Sequence, residues 1–214
     1  RMLDFLCNSP TRAEKNAAQP CRATYETHAE LGEIVRRIDA DRNEYQRDLE
    51  NGCMSSVDLP CAGGKQRAAQ TLIMRETPKS RLFKHWARSI GVSEKNGLNN
   101  RIDCLVVPYD LQGTSASGAG AHFGRVVISV KGNSGLSLKE LGRALEQKEQ
   151  AMRVEKGVTQ SGPPRYPEIS PSPDPWYDGR GHSYTIVDSP RSGTLLRYEQ
   201  IVACVCQSAI HVAP

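Results

Sequence analysis

The sequence predicts an α/β fold, a mixed sheet of about four or five strands flanked by helices. Three features carry the prediction. Thr24 to Asn51 has a strong helical period. Arg101–Pro108 and Gly124–Lys131 are runs rich in Val, Ile and Leu, as strands are. An amphipathic helix with a clear start follows the second run directly, at Ser137. At 214 residues the chain fits one main domain, since single domains usually hold roughly 100 to 200 residues.

Composition narrows the class. With 38% hydrophobic and 24% charged residues the chain is apolar enough to fold and polar enough to be water-soluble. No apolar run approaches the ~20 residues of a membrane helix, so no membrane partner is expected. The net charge of +4, from 28 basic and 24 acidic residues, permits a nucleic-acid partner without demanding one. Seven cysteines (Cys7, Cys21, Cys53, Cys61, Cys104, Cys204, Cys206) make an odd count with no CxxC pair, which points to reduced thiols and a cytoplasmic location.

Residues 1–100 read as a mainly helical N-terminal region. Its long helix carries Leu31, Ile34, Val35, Ile38, Tyr45 and Leu49 on one stripe, with Thr27 and Glu30 as a capping box and Asn51-Gly52 as the stop. Cys53 to Gly64, with Pro60 and Gly63-Gly64, reads as a loop. A second helix starts at Ser80, with Leu82, Phe83, Trp86, Ala87 and Ile90 inward and Gly91 at its end. Lys79, Arg81, Lys84, His85 and Arg88 on its other face form the best local basic patch, which a solvated surface also explains.

Residues 101–156 form the strand, loop, strand, helix core. The connecting loop, Gly113 to Gly124, is small and Gly/Ser/Ala-rich. Ser137 and Glu140 are spaced as a capping box, and Leu136 and Leu141 as a hydrophobic staple. Residues 157–181 are a linker or an extended wrap, because Pro163, Pro164, Pro167, Pro171, Pro173 and Pro175 forbid a regular helix or central strand. Residues 182–214 are expected to complete the same domain with two strands, His182–Asp188 and Leu195–Cys206, joined by a turn at Ser189–Gly193.

The chemistry centres on the core. Asp103 is an acid in an apolar strand, costly there unless it is paired. Ser129 and Lys131 share a face of the next strand because side chains alternate, and pairing of the strands would bring Asp103 toward that face. An acid on one strand, a hydrophobic strand ending in lysine, then an amphipathic helix resembles the core of the PD-(D/E)xK, or restriction-endonuclease-like, nucleases, over about 50 residues.

That resemblance implies a nuclease that hydrolyses DNA or RNA with Mg²⁺ or Mn²⁺, with Asp103 as metal ligand and Lys131 serving the attacking water or the phosphate charge. The pattern departs at Ser129, where the family has Asp or Glu, and serine is a poor ligand for a hard cation. Family branches with serine there supply the acid from the following helix. The resemblance therefore implies Glu146 as a catalytic metal ligand, with Glu149 as a further metal ligand.

Other readings rest on other residues. A non-catalytic binding or assembly module, such as one part of a multi-component bacterial system, would meet a protein partner through Trp176, Tyr177, Arg180 and His182, residue types common at binding hot spots. The same aromatic residues also read as pins that fix the proline-rich segment to the core. A Cys/His hydrolase would use Cys61 with His182 and Asp188, but in an extended strand those last two stand about 20 Å apart. His28-Ala29-Glu30 with Pro60-Cys61 matches part of a zinc deaminase pattern, yet Gly64 stands where the second cysteine is needed. Cys204, Cys206 and His211 form a further zinc candidate, or a pair of small core residues.

Overall fold

A computed structural model describes residues 29–61, 64–93, 99–109 and 124–207. The chain forms two compact units, Arg1–Asn43 and Glu44–Pro214. Helix α1 (Ala29–Asp48) supplies the described part of the first unit, and its last residues, from Glu44, belong to the second. The Thr27 end of the predicted helix lies outside the described residues.

The second unit is α/β, a five-stranded mixed sheet flanked by helices. A hairpin of β1 (Gly52–Pro60) and β2 (Gln66–Met74) pairs antiparallel along its whole length, from Gly52↔Met74 to Pro60↔Gln66. Helix α2 (Phe83–Ser89) and a short ribbon of β3 (Val92–Ser93) and β4 (Asn99–Asn100) follow. Strand β5 (Cys104–Tyr109) joins β2 in parallel, β6 (Arg125–Val130) pairs antiparallel with β5, and β7 (Ile186–Asp188) pairs antiparallel with β6. Helix α3 (Lys139–Glu155) lies between β6 and β7, and α4 (Tyr198–Gln207) follows β7. The sheet order is β1-β2-β5-β6-β7.

Strand alternation separates two cores. Cys104, Val106, Val126, Ile128 and Val130 face α3 and α4, packing with Leu138, Leu141, Leu145, Ile201 and Val205. Leu105 and Val107 face the other way and pack with Leu72, Met74, Phe83 and Ala87 of α2 and with Tyr45. Each such buried aliphatic or aromatic side chain contributes about 1.5–3 kcal/mol. Asp48 fixes the approach to α2, accepting the N–H groups of Lys79 (3.0 Å) and Ser80 (2.8 Å).

Several expectations are corrected. The described residues of Cys53–Gly64 are not a loop, because the β1–β2 hairpin occupies Gly52–Met74, so the described part of residues 1–100 carries strands as well as helices. Val57 and Leu59 alternate with exposed Ser56 and Asp58 in the way of a half-buried strand, which runs through Pro60. Leu195–Cys206 is not a strand: Tyr198, Ile201, Cys204 and Val205 are buried at the i, i+3, i+6, i+7 spacing of a helix face. The last short strand keeps only Ile186–Asp188, since Arg180–His182 is a 3₁₀ turn and Ser183 and Tyr184 take left-handed backbone angles (φ 53° and 57°).

The α3 capping box does not close. Ser137 Oγ accepts only from Lys139 N–H at 3.4 Å, and Glu140 turns to Arg143. Leu82 is 44% exposed and not inward. The Gly113–Gly124 loop lies outside the described residues apart from Gly124. Among the described residues no helix is long and apolar enough to cross a membrane.

Residues 157–181 run from a largely exposed first half into a second half docked on the fold. Ser170 and Ser172 are buried, and Trp176, at 1% exposure, is part of the α3-side core. Gly142 allows the close approach, since a Cβ there would lie 3.2 Å from Val187 Cγ2 and 3.3 Å from Asp178 Cα.

Candidate functional site

The two halves of the α2 side of the sheet differ in character. Over β2 and β5 it is apolar and covered by α2. Over β6 and β7 alternation places Arg125, Val127, Ser129, Ile186 and Asp188 on it, with Lys131 just beyond β6. An acid, cations and a hydroxyl on a sheet face are chemistry that the hydrophobic core does not need.

At one end of this band stand Asp103 and Lys131. Lys131 N–H donates to the Asp103 carbonyl at 3.0 Å and Asp103 N–H to Gln70 O at 2.8 Å, so the β ladder continues through Asp103 and its side chain shares the face of Leu105 and Val107. The sequence-based placement of Asp103 near the Ser129 and Lys131 face holds. Its carboxylate accepts Gln70 N–H at 3.2 Å and lies 3.7 Å from Arg67, which is a structural setting for the acid. Ser129 Oγ, on a residue 2% exposed, has no hydrogen-bond partner among the described residues.

At the other end Arg125 Nη2 meets Asp188 Oδ2 at 2.5 Å, with Lys84 and Tyr109 alongside. Burial pushes the Asp188 carboxyl above its usual range, against the pull of Arg125 and Lys84. Burial also pushes the Lys84 ammonium down, aided by Arg88 and Arg125 and opposed by Asp188. Arg88 Nη2 reaches Val130 O at 3.3 Å. A cleft of about 410 Å³ lies at the N-terminal end of α2, lined by Pro78 through His85 and by Tyr109 of β5.

Glu146 and Glu149 are elsewhere. Helix α3 packs against the opposite face of the sheet, so the sheet stands between these acids and Asp103. Glu146 accepts from Gln150 Nε2 and Trp176 N–H, both at 2.8 Å, and from the Ser170 hydroxyl. Glu149 accepts from Thr194 Oγ1 (2.5 Å), Leu195 N–H (3.0 Å) and Trp176 Nε1 (3.4 Å). Arg153 Nε lies 3.0 Å from Glu149 Oε1, although its N–H is not aimed at that oxygen. Thus Asp103 and Lys131 come together, and Glu146 and Glu149 do not join them. Among the described residues no group of three or more His, Cys, Asp or Glu side chains is placed to hold a metal ion.

The tail residues serve internal contacts. Trp176 is buried, and Arg180 is held by Asp178 (2.9 Å) and Glu168 over the Tyr166 ring. The His182 ring packs edge-on to Tyr177, and the acid that would orient it, Asp188, is paired with Arg125. Cys61 packs half-buried at the end of β1, bridged to Leu136. Cys204 and Cys206 lie on α4, one buried and one exposed, and face apart; His211 is outside the described residues.

Sequence reasoning missed Arg125 and Asp188 as a pair. Alternation in Arg125–Val130 marked Arg125 as sharing the Ser129 face, but only the β6–β7 register names its partner. Comparison with protein-family models, curated proteins and solved structures gives no match.

Proposed function

We propose that this chain is a non-catalytic binding or assembly module that offers the cleft at the N-terminal end of α2 to an anionic partner. The observation that carries this reading is the division of charge across the sheet. The α3 acids are consumed in anchoring the wrap, whereas Lys79, Arg81 and Lys84 gather with His85 around one cleft on the opposite side. Clustered cations raise the local concentration of anions and speed their capture. Tyr109 adds an aromatic wall, with Lys84 Nζ 5.8 Å from its ring centroid.

The test is fluorescence anisotropy with labelled single- and double-stranded oligonucleotides and a polyglutamate peptide, over a salt gradient. Salt-sensitive binding that Lys79→Glu with Lys84→Gln abolishes supports the module, and the better ligand names the partner class. No binding to any of the three sinks it. Cleavage of the oligonucleotides with Mg²⁺ or Mn²⁺ that Asp103→Asn abolishes replaces it with the nuclease.

A further inference from the structure

Beside the Arg125–Asp188 pair, at the end of β7, lies a second and smaller cavity of about 230 Å³. Its walls come from separate parts of the chain: Arg125 from β6, Arg165 from the proline-rich wrap, Tyr177 from the strand-like segment opposite Asp188, and Ser189 and Arg191 from the turn after β7. Three guanidinium groups around one small cavity repel one another unless negative charge is supplied.

The two aspartates in the walls do not supply it to all three. Asp188 is committed to Arg125 at 2.5 Å. Asp174 spends both oxygens on backbone, accepting Arg191 N–H at 3.0 Å and Ser192 N–H at 2.8 Å, which fixes the turn that carries Arg191. The Arg191 guanidinium has no ion pair or hydrogen bond among the described residues, and Arg165 has only the Tyr166 ring, 5.4 Å from its centroid. Ser189, buried at 3% exposure, accepts Val126 N–H at 2.9 Å, which leaves its own hydroxyl hydrogen to donate. Buried, partnered Ser189 and the two Asp174 bonds make the cavity preorganised.

We infer that this cavity is a binding site for a tetrahedral oxyanion, phosphate or the head of a phosphomonoester, gripped by Arg165 and Arg191 with the Ser189 hydroxyl and the free edge of Arg125. Guanidinium forks arriving from different elements suit oxygens that point in different directions, and each charge-assisted bond is stronger than a neutral one. The site is separate from the α2 cleft and stands or falls without it.

The experiment is ³¹P NMR titration of the whole chain with inorganic phosphate and with phenyl phosphate, alongside melting curves in phosphate, acetate and chloride at matched ionic strength. The expected result is saturable ³¹P broadening and a rise in Tm with phosphate. Arg165→Gln and Arg191→Gln, both exposed residues, should remove both effects while leaving the ligand-free Tm in place. Broadening by both phosphates identifies an ester head, and broadening by inorganic phosphate alone identifies the free ion. No broadening overturns the inference, as does an equal Tm rise in the Gln variants, which is general kosmotropic stabilisation. An acetate effect matching that of phosphate makes the cavity a carboxylate site and also overturns it.

Discussion

Glu146 Oε2 accepts the backbone N–H of Trp176 at 2.8 Å across 30 residues of sequence, so a carboxylate in the middle of α3 anchors the proline-rich wrap. The wrap has no ladder of its own, and its buried donors need acceptors from the helix it crosses. Glu149 does the same for Leu195 and Thr194 after the last turn.

Removing either acceptor therefore acts on stability. Glu146→Ala leaves the Trp176 N–H and the Ser170 hydroxyl without acceptors, at about 1–3 kcal/mol for each donor buried unmade. Urea unfolding monitored by Trp fluorescence should show this loss for Glu146→Ala and for Glu149→Ala. Adding Ser129→Glu should not restore it, because Ser129 lies across the sheet from α3. Full restoration would place these acids in one site.

Composition alone predicts first proteolytic cleavage near Arg165 or Lys156. Backbone hydrogen bonding reverses that expectation, since Arg165 N–H bonds Ser172 O at 3.2 Å within the wrap and Lys156 N–H bonds Met152 O at 3.0 Å in the last turn of α3. Trypsin should spare both sites in the native chain and cut them in Glu146→Ala. Early cleavage of the unaltered chain at Arg165 would show an undocked linker.

Asp174 sets a pH dependence. Burial alone would raise its carboxyl, but the Ser192 and Arg191 N–H groups, aided by Arg153, hold it below its usual value. A depressed folded pKa means that the unfolded chain binds the proton more readily, so this stability is complete above the unfolded value of 3.8 and is lost as pH falls through the folded one. Asp174→Asn should lower Tm at neutral pH and flatten the acid limb of the Tm curve. A parallel limb in the variant would assign acid sensitivity to other carboxylates.

Ser129→Ala should be neutral or stabilising by about 1 kcal/mol, because a buried hydroxyl without a partner carries a desolvation cost of that order. A clear loss of stability in thermal unfolding would mean that the hydroxyl has a buried water as partner.

Asp103→Asn keeps an acceptor for Gln70 N–H and loses only a part-exposed pairing with Arg67, worth about 0–1 kcal/mol. Its Tm should stay close to that of the unaltered chain, and the response of Tm to Mn²⁺ should be the same in both. A Mn²⁺ shift present only with Asp103 would place a cation there.

Local pattern determined much of this protein. The β5 and β6 strands, the α3 helix, the shared face of Asp103, Ser129 and Lys131, and the packing role of Trp176 follow from alternation, helical period and side-chain type. These are properties of neighbours in sequence. The β1–β2 hairpin and α4 were misjudged because a half-polar strand resembles a loop and a short apolar run fits strand or helix equally well until a partner is present. The face that α3 covers was not legible either. Whether its glutamates meet Asp103 depends on which side of the sheet the crossover takes, and no residue within 101–156 encodes that alone. Only the assembled sheet sets Glu146 and Glu149 against the wrap and leaves Arg125, Lys84 and Asp188 together on the other side, because burial and hydrogen bonding are settled by all packed elements at once.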